Sequence, residues 1–177
     1  MEAPDEELML AYGRGDAGAF ETLYKRHRGP VYRFVLRAIK NRSTAEELFQ
    51  EVWIRVIEAR SRYAPQARFT TWLYTIAHNL LVDYWRRKGL TLVQLDEEQL
   101  VAAPDNPARQ AEAREALARL AQAIEALPAA QREAFLLHEE AGLSVAEIAA
   151  ATGTNDEAAK SRLRYAMAKL KAAVDDG

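Results

Sequence analysis

The sequence contains no cysteine, and this absence excludes several classes of protein at once. Without thiols there can be no disulfide, no thiol nucleophile and no cysteine-ligated zinc site. No apolar run approaches the roughly 20 residues that a membrane-spanning helix needs. The opening stretch, MEAPDEELML, is acidic, whereas a signal peptide begins with basic and then apolar residues. We therefore expect a cytoplasmic protein without membrane insertion.

Histidine is also scarce, and the three that occur lie far apart. His27, His78 and His138 have no cysteine or close carboxylate that would complete a metal site or a nucleophilic site. We therefore predict that the protein has no cofactor and no metal, and that it is not an enzyme.

One enzyme class deserves a direct comparison, the all-α nucleoside-triphosphate pyrophosphohydrolases. The segment EELFQE, with Glu46, Glu47 and Glu51, superficially resembles the glutamate cluster with which those enzymes hold magnesium. That chemistry also requires a second acidic pair on a facing helix. The next predicted helix offers only Asp83 among basic residues, so the enzyme reading is disfavoured.

Charge is unevenly distributed between the two halves of the chain. Residues 1–90 carry 15 Lys and Arg against 11 Asp and Glu, a net charge of +4. Residues 91–177 carry 9 against 15, a net charge of −6. This asymmetry indicates different partners for the two halves.

The hydrophobic periodicity is helical throughout, with no convincing alternating strand. DAGAFETLYKRHRG and PVYRFVLRAIKN predict two helices separated at Gly29 and Pro30. The next helix should begin with a capping box formed by Ser43 and Glu46. After Pro65, another helix follows.

Residues 89–107 lose the helical pattern and include an acidic patch and two prolines. We predict an all-α protein of two small helical domains joined by a flexible linker. The domains would span residues 1–90 and 108–177, and the linker residues 91–107. Helix should resume at Ala108–Ala126, and Pro128 should start the next one.

The segment SVAEIAAATGTNDEAAKSRLRYAMAKLKAA predicts a helix–turn–helix in the second domain. Ser144 and Glu147 form a capping box, Gly153 suits the turn, and Asn155 or Asp156 can cap the second helix. One face of that helix is apolar: Ala159, Leu163, Ala166 and Leu170, with Met167 beside them.

The opposite face of this helix carries long hydrogen-bond donors. Residues 156–171 include five basic and two acidic groups, so this helix is locally positive within a negative half. Such a face suits contacts with base edges and phosphates, although a solvated amphipathic helix would show the same pattern. Because the half as a whole is negative, we expect it to bind DNA poorly by itself.

The segment RFTTWLYTIAHNLLVDYWRRK, residues 68–88, has two apolar stripes instead of one. The first must be core: Phe69, Trp72, Leu73, Ile76, Leu80 and Tyr84. The second is roughly opposite: Tyr74, His78, Leu81 and Trp85. Rings interleaved with cations suit single-stranded DNA, but burial against neighbouring helices is equally open. The stronger candidates lie where the stripes meet, at Asn79, the loop before Thr70, and Arg86 with Arg87.

The preceding helix carries an acidic stripe at helical spacing, Glu47, Glu51 and Glu58. Ile54 lies within this stripe and Gln50 is adjacent. An acidic stripe is usually a solvated face, but one with an embedded isoleucine could dock a basic helical partner.

Two segments of the chain together resemble the extracytoplasmic-function (group 4) sigma factors of bacterial RNA polymerase. The first is AEELFQEVWIRVIEARSRYAPQARFTTWLYTIAHNLLVDYWRRK, and the second is LPAAQREAFLLHEEAGLSVAEIAAATGTNDEAAKSRLRYAMAKLK. They occur in the order typical of the family, with a suitable linker between them. The resemblance implies a function in promoter recognition, DNA melting and transcription initiation.

The resemblance also implies three sets of site residues. Contact with core polymerase would be made by Glu47, Gln50, Glu51, Ile54 and Asp83. Recognition and opening of the minus-ten element would use Tyr63, Arg68, Thr70, Thr71, Asn79, Arg86 and Arg87. The minus-thirty-five element would be read by Asn155, Glu157, Lys160, Ser161, Arg162, Arg164, Tyr165 and Lys169. The linker would enter the active-site channel of the polymerase.

The implied partners are core RNA polymerase and promoter DNA, both duplex and melted single strand, with an anti-sigma factor as the family default. Two departures concern promoter sequence: Glu157-Ala158-Ala159 stands where the family often has Gly-Thr-Val, and His78 where arginine is frequent. A rival hypothesis is a helix–turn–helix repressor that binds duplex DNA alone. It would leave the second aromatic stripe without a task.

Overall fold

The computed structural model describes residues 2–89 and 112–175, which form eight helices and no strand. The helices are α1 (Asp5–Gly13), α2 (Ala17–Ile39), α3 (Arg42–Ala59), α4 (Phe69–Arg87), α5 (Glu112–Ala126), α6 (Ala129–Glu139), α7 (Val145–Thr152) and α8 (Asp156–Asp175). The all-α prediction is confirmed. The predicted linker, residues 91–107, and the predicted helix start at Ala108 lie outside the described residues.

The predicted break at Gly29 and Pro30 is wrong, because α2 continues through the proline. Pro30 cannot donate a backbone hydrogen bond, which normally weakens a helix interior. Leu23 on one side and Phe34 on the other are both fully buried. Burial of a large apolar side chain is worth about 1.5–3 kcal/mol, so the core on both sides offsets the local cost.

The start of α3 also differs from the prediction. The N-cap is Asn41, whose side-chain oxygen accepts a hydrogen bond from the Thr44 amide at 3.1 Å. Ser43 therefore lies inside the helix, and the predicted capping box with Glu46 is wrong. Glu46 instead accepts a hydrogen bond from Arg42 Nε at 3.4 Å. Asparagine is as strong an N-cap as serine, so the earlier of the two candidates begins the helix.

Helices α1 to α4 form the N-terminal unit, and its first helix fixes the start of α4. The N-cap residue Arg68 makes no side-chain capping bond. Glu6 of α1 supplies an acceptor there instead, since its carboxylate accepts a hydrogen bond from the Phe69 amide at 2.9 Å. Asp5 Oδ1 accepts a hydrogen bond from Arg26 Nη1 at 3.0 Å, and Asp5 Oδ2 is hydrogen-bonded to His27 Nε2 at 2.9 Å. These contacts hold α1 against α2 and α4.

Helices α5 to α8 form the C-terminal unit, and its predicted helix–turn–helix has the expected local structure. The Ser144–Glu147 capping box is present, and Gly153 ends α7 with a positive φ of 68°. Asn155 accepts a hydrogen bond from the Ala158 amide at 2.8 Å. Pro128 is the N-cap of α6, one position before the helix begins.

The predicted apolar face of α8 is mostly correct. Ala159, Ala166 and Leu170 are buried, and Leu163 is half-buried. Met167, expected beside them, is 45% exposed and is therefore not part of this core.

The two units pack against each other, with α7 along α4 and α6 along α2. One continuous apolar cluster includes buried residues of both units. Arg132 of α6 is buried at this boundary, where it donates to the Ala38 and Leu127 carbonyl oxygens at 3.2 Å each. Burial lowers the pKa of Arg132 to about 10. The boundary is therefore a packed interface with polar groups inside it.

Candidate nucleic-acid and partner interfaces

The second stripe of α4 is buried against other helices. Tyr74, Leu81 and Trp85 are buried, and the Tyr74 ring meets Phe34 edge-on at a centroid distance of 5.4 Å. Burial raises the pKa of Tyr74. His78 is half-buried and bonds to Glu133 of α6 at 2.8 Å. Of the two interpretations that the sequence leaves open, the structure selects packing, and these rings are not available for bases in this arrangement.

The seven candidate minus-ten residues lie in two groups, one on the middle and C-terminal end of α4 and one at its N-terminus and in the loop before it. Asn79 in the middle of α4, and Arg86 and Arg87 at its C-terminal end, are exposed. Near its N-terminus Arg68 is exposed and Thr71 is 5% exposed. The first group is open to solvent, whereas the second lies beside α7.

Tyr63 and Thr70 belong to the N-terminal group and are less accessible than expected. The Tyr63 ring packs edge-on against Trp72 at 4.9 Å and against Phe69 at 6.3 Å. Burial, with the nearby charges of Glu6 and Asp5, raises the pKa of Tyr63 to about 12. The hydroxyls of Tyr63 and Thr70 are buried and find no hydrogen-bond partner among the described residues.

A groove of about 590 Å³ separates α3 from α4 and joins two of the candidate sets. Glu47 and Glu51 lie on its α3 side, and Asp83, Arg86 and Arg87 on its α4 side. Both walls of the groove are mixed in charge, because Arg55 also lies on the α3 side and Asp83 lies beside the two arginines of α4.

The rest of the candidate core-binding set lies on the same side of α3. Gln50 is exposed and Ile54 is 44% exposed, an uncommon exposure for a large apolar side chain within an acidic stripe. Glu51 accepts a hydrogen bond from Arg55 Nε at 3.0 Å. The five residues Glu47, Gln50, Glu51, Ile54 and Asp83 thus share one accessible surface, here called the α3 face.

The minus-thirty-five set follows α8, and most of it is accessible. The exposed members are Asn155, Glu157, Lys160, Arg164 and Tyr165, and the half-buried ones are Ser161, Arg162 and Lys169. The Arg164 guanidinium lies 5.3 Å from the Tyr165 ring centroid. Lys169 donates to Gln131 of α6 at 3.1 Å, so it is directed toward the interior of its own unit.

Sequence reasoning missed a set of three glutamates that join the two units. Glu133 meets His78, Glu140 accepts hydrogen bonds from Arg33 and Arg37, and Glu147 meets Arg68 and Thr71. The glutamates are seven residues apart in a negative half, and they face a positive half. The regular spacing of these glutamates, together with the opposite charges of the two halves, was the signal in the sequence from which contact between the units could have been predicted.

Comparison with known proteins identifies the family to which the chain belongs. The profile for Sigma-70 region 2 matches residues 23–91, and the profile for Sigma-70 region 4 matches residues 117–170. The RNA polymerase sigma factor CarQ of Myxococcus xanthus is 34% identical over 92% of this chain and 93% of its own length. The ECF RNA polymerase sigma factor RpoE of Cereibacter sphaeroides is 33% identical over 88% of this chain and 86% of its own. The chain belongs to the extracytoplasmic-function sigma factors of bacterial RNA polymerase.

Other relatives support the same family and fold. The sigma factor BldN of Streptomyces coelicolor is 32% identical over 90% of this sigma factor, which spans 61% of BldN. The structure of CnrH in complex with the cytosolic domain of CnrY has a TM-score of 0.71, with 24% identity and 97% of each chain covered. At that identity the likeness concerns the fold alone.

This sigma factor therefore directs promoter recognition and transcription initiation, and the repressor hypothesis is not favoured. Across residues 2–89 and 112–175, no helix is long and apolar enough to cross a membrane.

Proposed function

We propose that this sigma factor contacts core RNA polymerase through the α3 face. The observation that carries this proposal is the exposed Ile54 within a stripe of carboxylates beside the α3–α4 groove. An apolar anchor surrounded by charge is the composition of a protein interface, because the apolar group supplies affinity and the charges supply steering and specificity. The partner that fits is a basic helical surface of the polymerase.

The exposed side of the C-terminal half of α4 would act on the minus-ten element. Asn79 is exposed and can hydrogen-bond an extruded base, while Arg86 and Arg87 can hold the strand backbone. Arg68 and Thr71 lie at the N-terminal end of α4 and would supply further hydrogen-bond donors. Tyr63 and Thr70 would contribute only after the surrounding side chains rearrange, since both hydroxyls are buried.

The exposed front of α8 would read the minus-thirty-five element in duplex DNA. Lys160 and Arg164 are exposed on the side opposite the buried Ala159, Ala166 and Leu170, as a recognition helix requires. Arg162 would flank this front, whereas Lys169 is directed toward Gln131 of α6.

The sigma factor would act in the cytoplasm as an initiation factor and not as an enzyme. We expect an anti-sigma factor as a further partner. Two structurally similar proteins were solved in complexes, CnrH with the cytosolic domain of CnrY and the RpoE of Bartonella quintana with the anti-sigma factor NepR.

The test is affinity for core polymerase combined with promoter-dependent transcription. Glu51→Lys and Ile54→Ala should each weaken core binding. Placing like charges opposite each other at an interface is unfavourable, and a cost of about 1.4 kcal/mol corresponds to a tenfold loss of affinity. We therefore expect about a tenfold loss for the charge reversal. Glu21→Lys changes an exposed glutamate of α2 by the same charge and should leave core affinity unchanged. A wild-type chain that does not associate with core would disprove the proposal.

A further inference from the structure

The loop between α3 and α4, residues 60–68, is almost entirely open to solvent. Tyr63 is the one buried residue of this α3–α4 loop, and its ring packs against Trp72 and Phe69 of α4. Every other residue of the loop is exposed. A segment that distinguishes base sequences must hold its side chains in one arrangement, because ordering them at the moment of binding costs affinity. The contacts at the two ends of the loop are therefore important for its conformation.

The end of the loop that leads into α4 is held by a residue of α1. Glu6 Oε1 accepts a hydrogen bond from the amide of Phe69, the first residue of α4, at 2.9 Å. The first amides of a helix have no partner within that helix, so an acceptor from elsewhere helps to fix where the helix begins. Glu6 lies 63 positions earlier in the chain, so a tertiary contact takes the place of a local cap. The position of Arg68, the last residue of the loop, thus depends on α1.

The beginning of the loop lies against the other end of α1. A methyl group added at Gly13 would lie 2.5 Å from the Arg60 carbonyl oxygen, which is too close for a side-chain carbon and a backbone atom. Gly13 therefore allows the two backbones to approach each other closely. The Arg60 guanidinium also lies 5.8 Å from the Tyr12 ring centroid, within the range of a cation–π contact.

Helix α1 is anchored to the rest of the N-terminal unit without the help of the loop. Met9 is fully buried, and Asp5 is hydrogen-bonded to Arg26 and His27 of α2. Glu6 and Gly13 lie about 10 Å apart along the helix axis, given a rise of about 1.5 Å per residue. Because a helix is stiff over this length, α1 holds the two ends of the loop at a fixed separation.

We propose that α1 is a positioning element for minus-ten recognition, and that it sets the conformation of the α3–α4 loop through Glu6 and Gly13. This inference rests on the proposed minus-ten role of the loop and of α4. Neither residue would touch DNA, since Glu6 is a half-buried carboxylate that repels phosphates and Gly13 has no side chain. Both act through the loop. A loop with one end released can adapt to several base sequences, so discrimination between minus-ten sequences falls when either contact is lost.

The test measures base preference with the assembled holoenzyme. A promoter library is randomised in the minus-ten and minus-thirty-five elements, and each template carries a transcribed barcode. Sequencing the transcripts gives the enrichment of the preferred base at each position. Glu6→Ala should lower the minus-ten enrichment about three- to tenfold, a partial loss of the discrimination that one base contact provides, and leave the minus-thirty-five enrichment unchanged.

Two further variants separate the contact from the charge. Glu6→Gln keeps an oxygen that can accept from the Phe69 amide, so it should retain most of the minus-ten preference. Gly13→Ala leaves Glu6 in place but forces the Arg60 carbonyl away from α1, so it should lower the preference as Glu6→Ala does. Urea denaturation of each chain shows how far it is destabilised.

The matched controls make the same changes away from the loop. Asn41→Ala removes the side-chain acceptor at the N-terminus of α3, as Glu6→Ala does for α4. Gly29→Ala adds a methyl group within α2, where the nearest atom would be Arg33 Nη1 at 3.1 Å, the end of a flexible side chain. Both controls should keep the minus-ten preference of the wild type.

The outcomes distinguish failure of this inference from failure of the proposed function. An unchanged minus-ten preference in Glu6→Ala or in Gly13→Ala would overturn the positioning role of that residue. An equal loss in its control, or a parallel loss at the minus-thirty-five element, would do the same. The direct-contact variant Arg68→Ala/Asn79→Ala tests the proposed function itself. If it also keeps the minus-ten preference, both proposals fail; if it alone loses the preference, only the positioning role fails.

Discussion

His78 of α4 and Glu133 of α6 form a hydrogen-bonded pair across the boundary between the two helical units, with Nδ1 at 2.8 and 2.9 Å from the two carboxylate oxygens. When Glu133 is ionised its oxygens can only accept, and Nδ1 of His78 is then the donor. Glu133 is almost entirely buried, and both of its carboxylate oxygens lie within hydrogen-bond distance of the imidazole. The helix that carries Asn79 is therefore fixed to the C-terminal unit by the residue immediately before it.

Loss of this imidazole should destabilise the packed protein. His78→Ala leaves a carboxylate buried without its partner, and we expect the free energy of unfolding to fall by about 2 kcal/mol. Urea denaturation measures the change. In a Glu133→Gln background, where no buried charge remains, the same His78→Ala change should cost clearly less. Equal costs in the two backgrounds would show that the pair is not coupled.

Trp72→Ala should unfold much of the N-terminal unit. The Trp72 ring contacts those of Tyr63 and Phe69 at centroid distances of 4.9 and 5.7 Å, and its removal leaves a cavity beside the start of α4. We expect a loss of about 3 kcal/mol in the free energy of unfolding. Trp72→Phe retains part of the ring contact and should cost less. A loss below about 1 kcal/mol for Trp72→Ala would contradict this packing role.

Asn79→Ala should separate folding from function. Asn79 is exposed, so the free energy of unfolding should change by no more than about 0.5 kcal/mol. Core affinity should be unchanged, whereas promoter opening, followed by permanganate reactivity of unpaired thymines, should fall on the order of tenfold if a base contact is lost. A comparable loss of folding would count against a role in DNA opening.

Asp5 should contribute a pH-dependent part of stability. Burial tends to raise its pKa, but hydrogen bonds and charges from His27 and then Arg26 outweigh it and hold the pKa below the usual 3.8. A carboxyl whose pKa is lowered in the folded state stabilises that state when it is ionised. Its contribution is complete above about pH 3.8 and is lost as the pH falls through the folded-state pKa.

Asp5→Asn should therefore reduce the free energy of unfolding at neutral pH, and the difference from wild type should shrink in acid. Urea denaturation across a pH series measures both quantities. Glu7→Gln changes an exposed carboxylate of the same helix and serves as the control. A difference between wild type and Asp5→Asn that stays constant below pH 3.8 would exclude this linkage.

Much of the fold could be predicted because its signals are local. The Ser144–Glu147 capping box, the positive φ of Gly153 and the Asn155 cap each depend on a few adjacent residues. The α8 front follows from the same local periodicity, since burial of Ala159 and Ala166 directs Lys160 and Arg164 outward. For that reason the helix–turn–helix and its candidate DNA-binding face could be predicted from the sequence.

The errors share a different cause, which is competition between local signals and distant packing. Pro30 is a strong local signal for a break, yet buried residues on both sides keep α2 continuous. Asn41 and Ser43 are both good caps, and the choice between them depends on where the chain leaves α2. Met167 has the right spacing for the α8 core, but no neighbouring helix covers it enough to bury it.

The sequence by itself determined the helices, the helix–turn–helix, the unequal charge of the halves and the family, because all of these depend on composition and on short-range spacing. Only the tertiary structure decided the fate of the second stripe of α4 and the partners of Glu147. Both depend on residues forty or more positions apart: Tyr74 packs against Phe34, and Glu147 pairs with Arg68. Burial and pairing of this kind are collective properties of the packed helices. Sequence periodicity states that a face is apolar or charged, but it cannot state which surface will cover it.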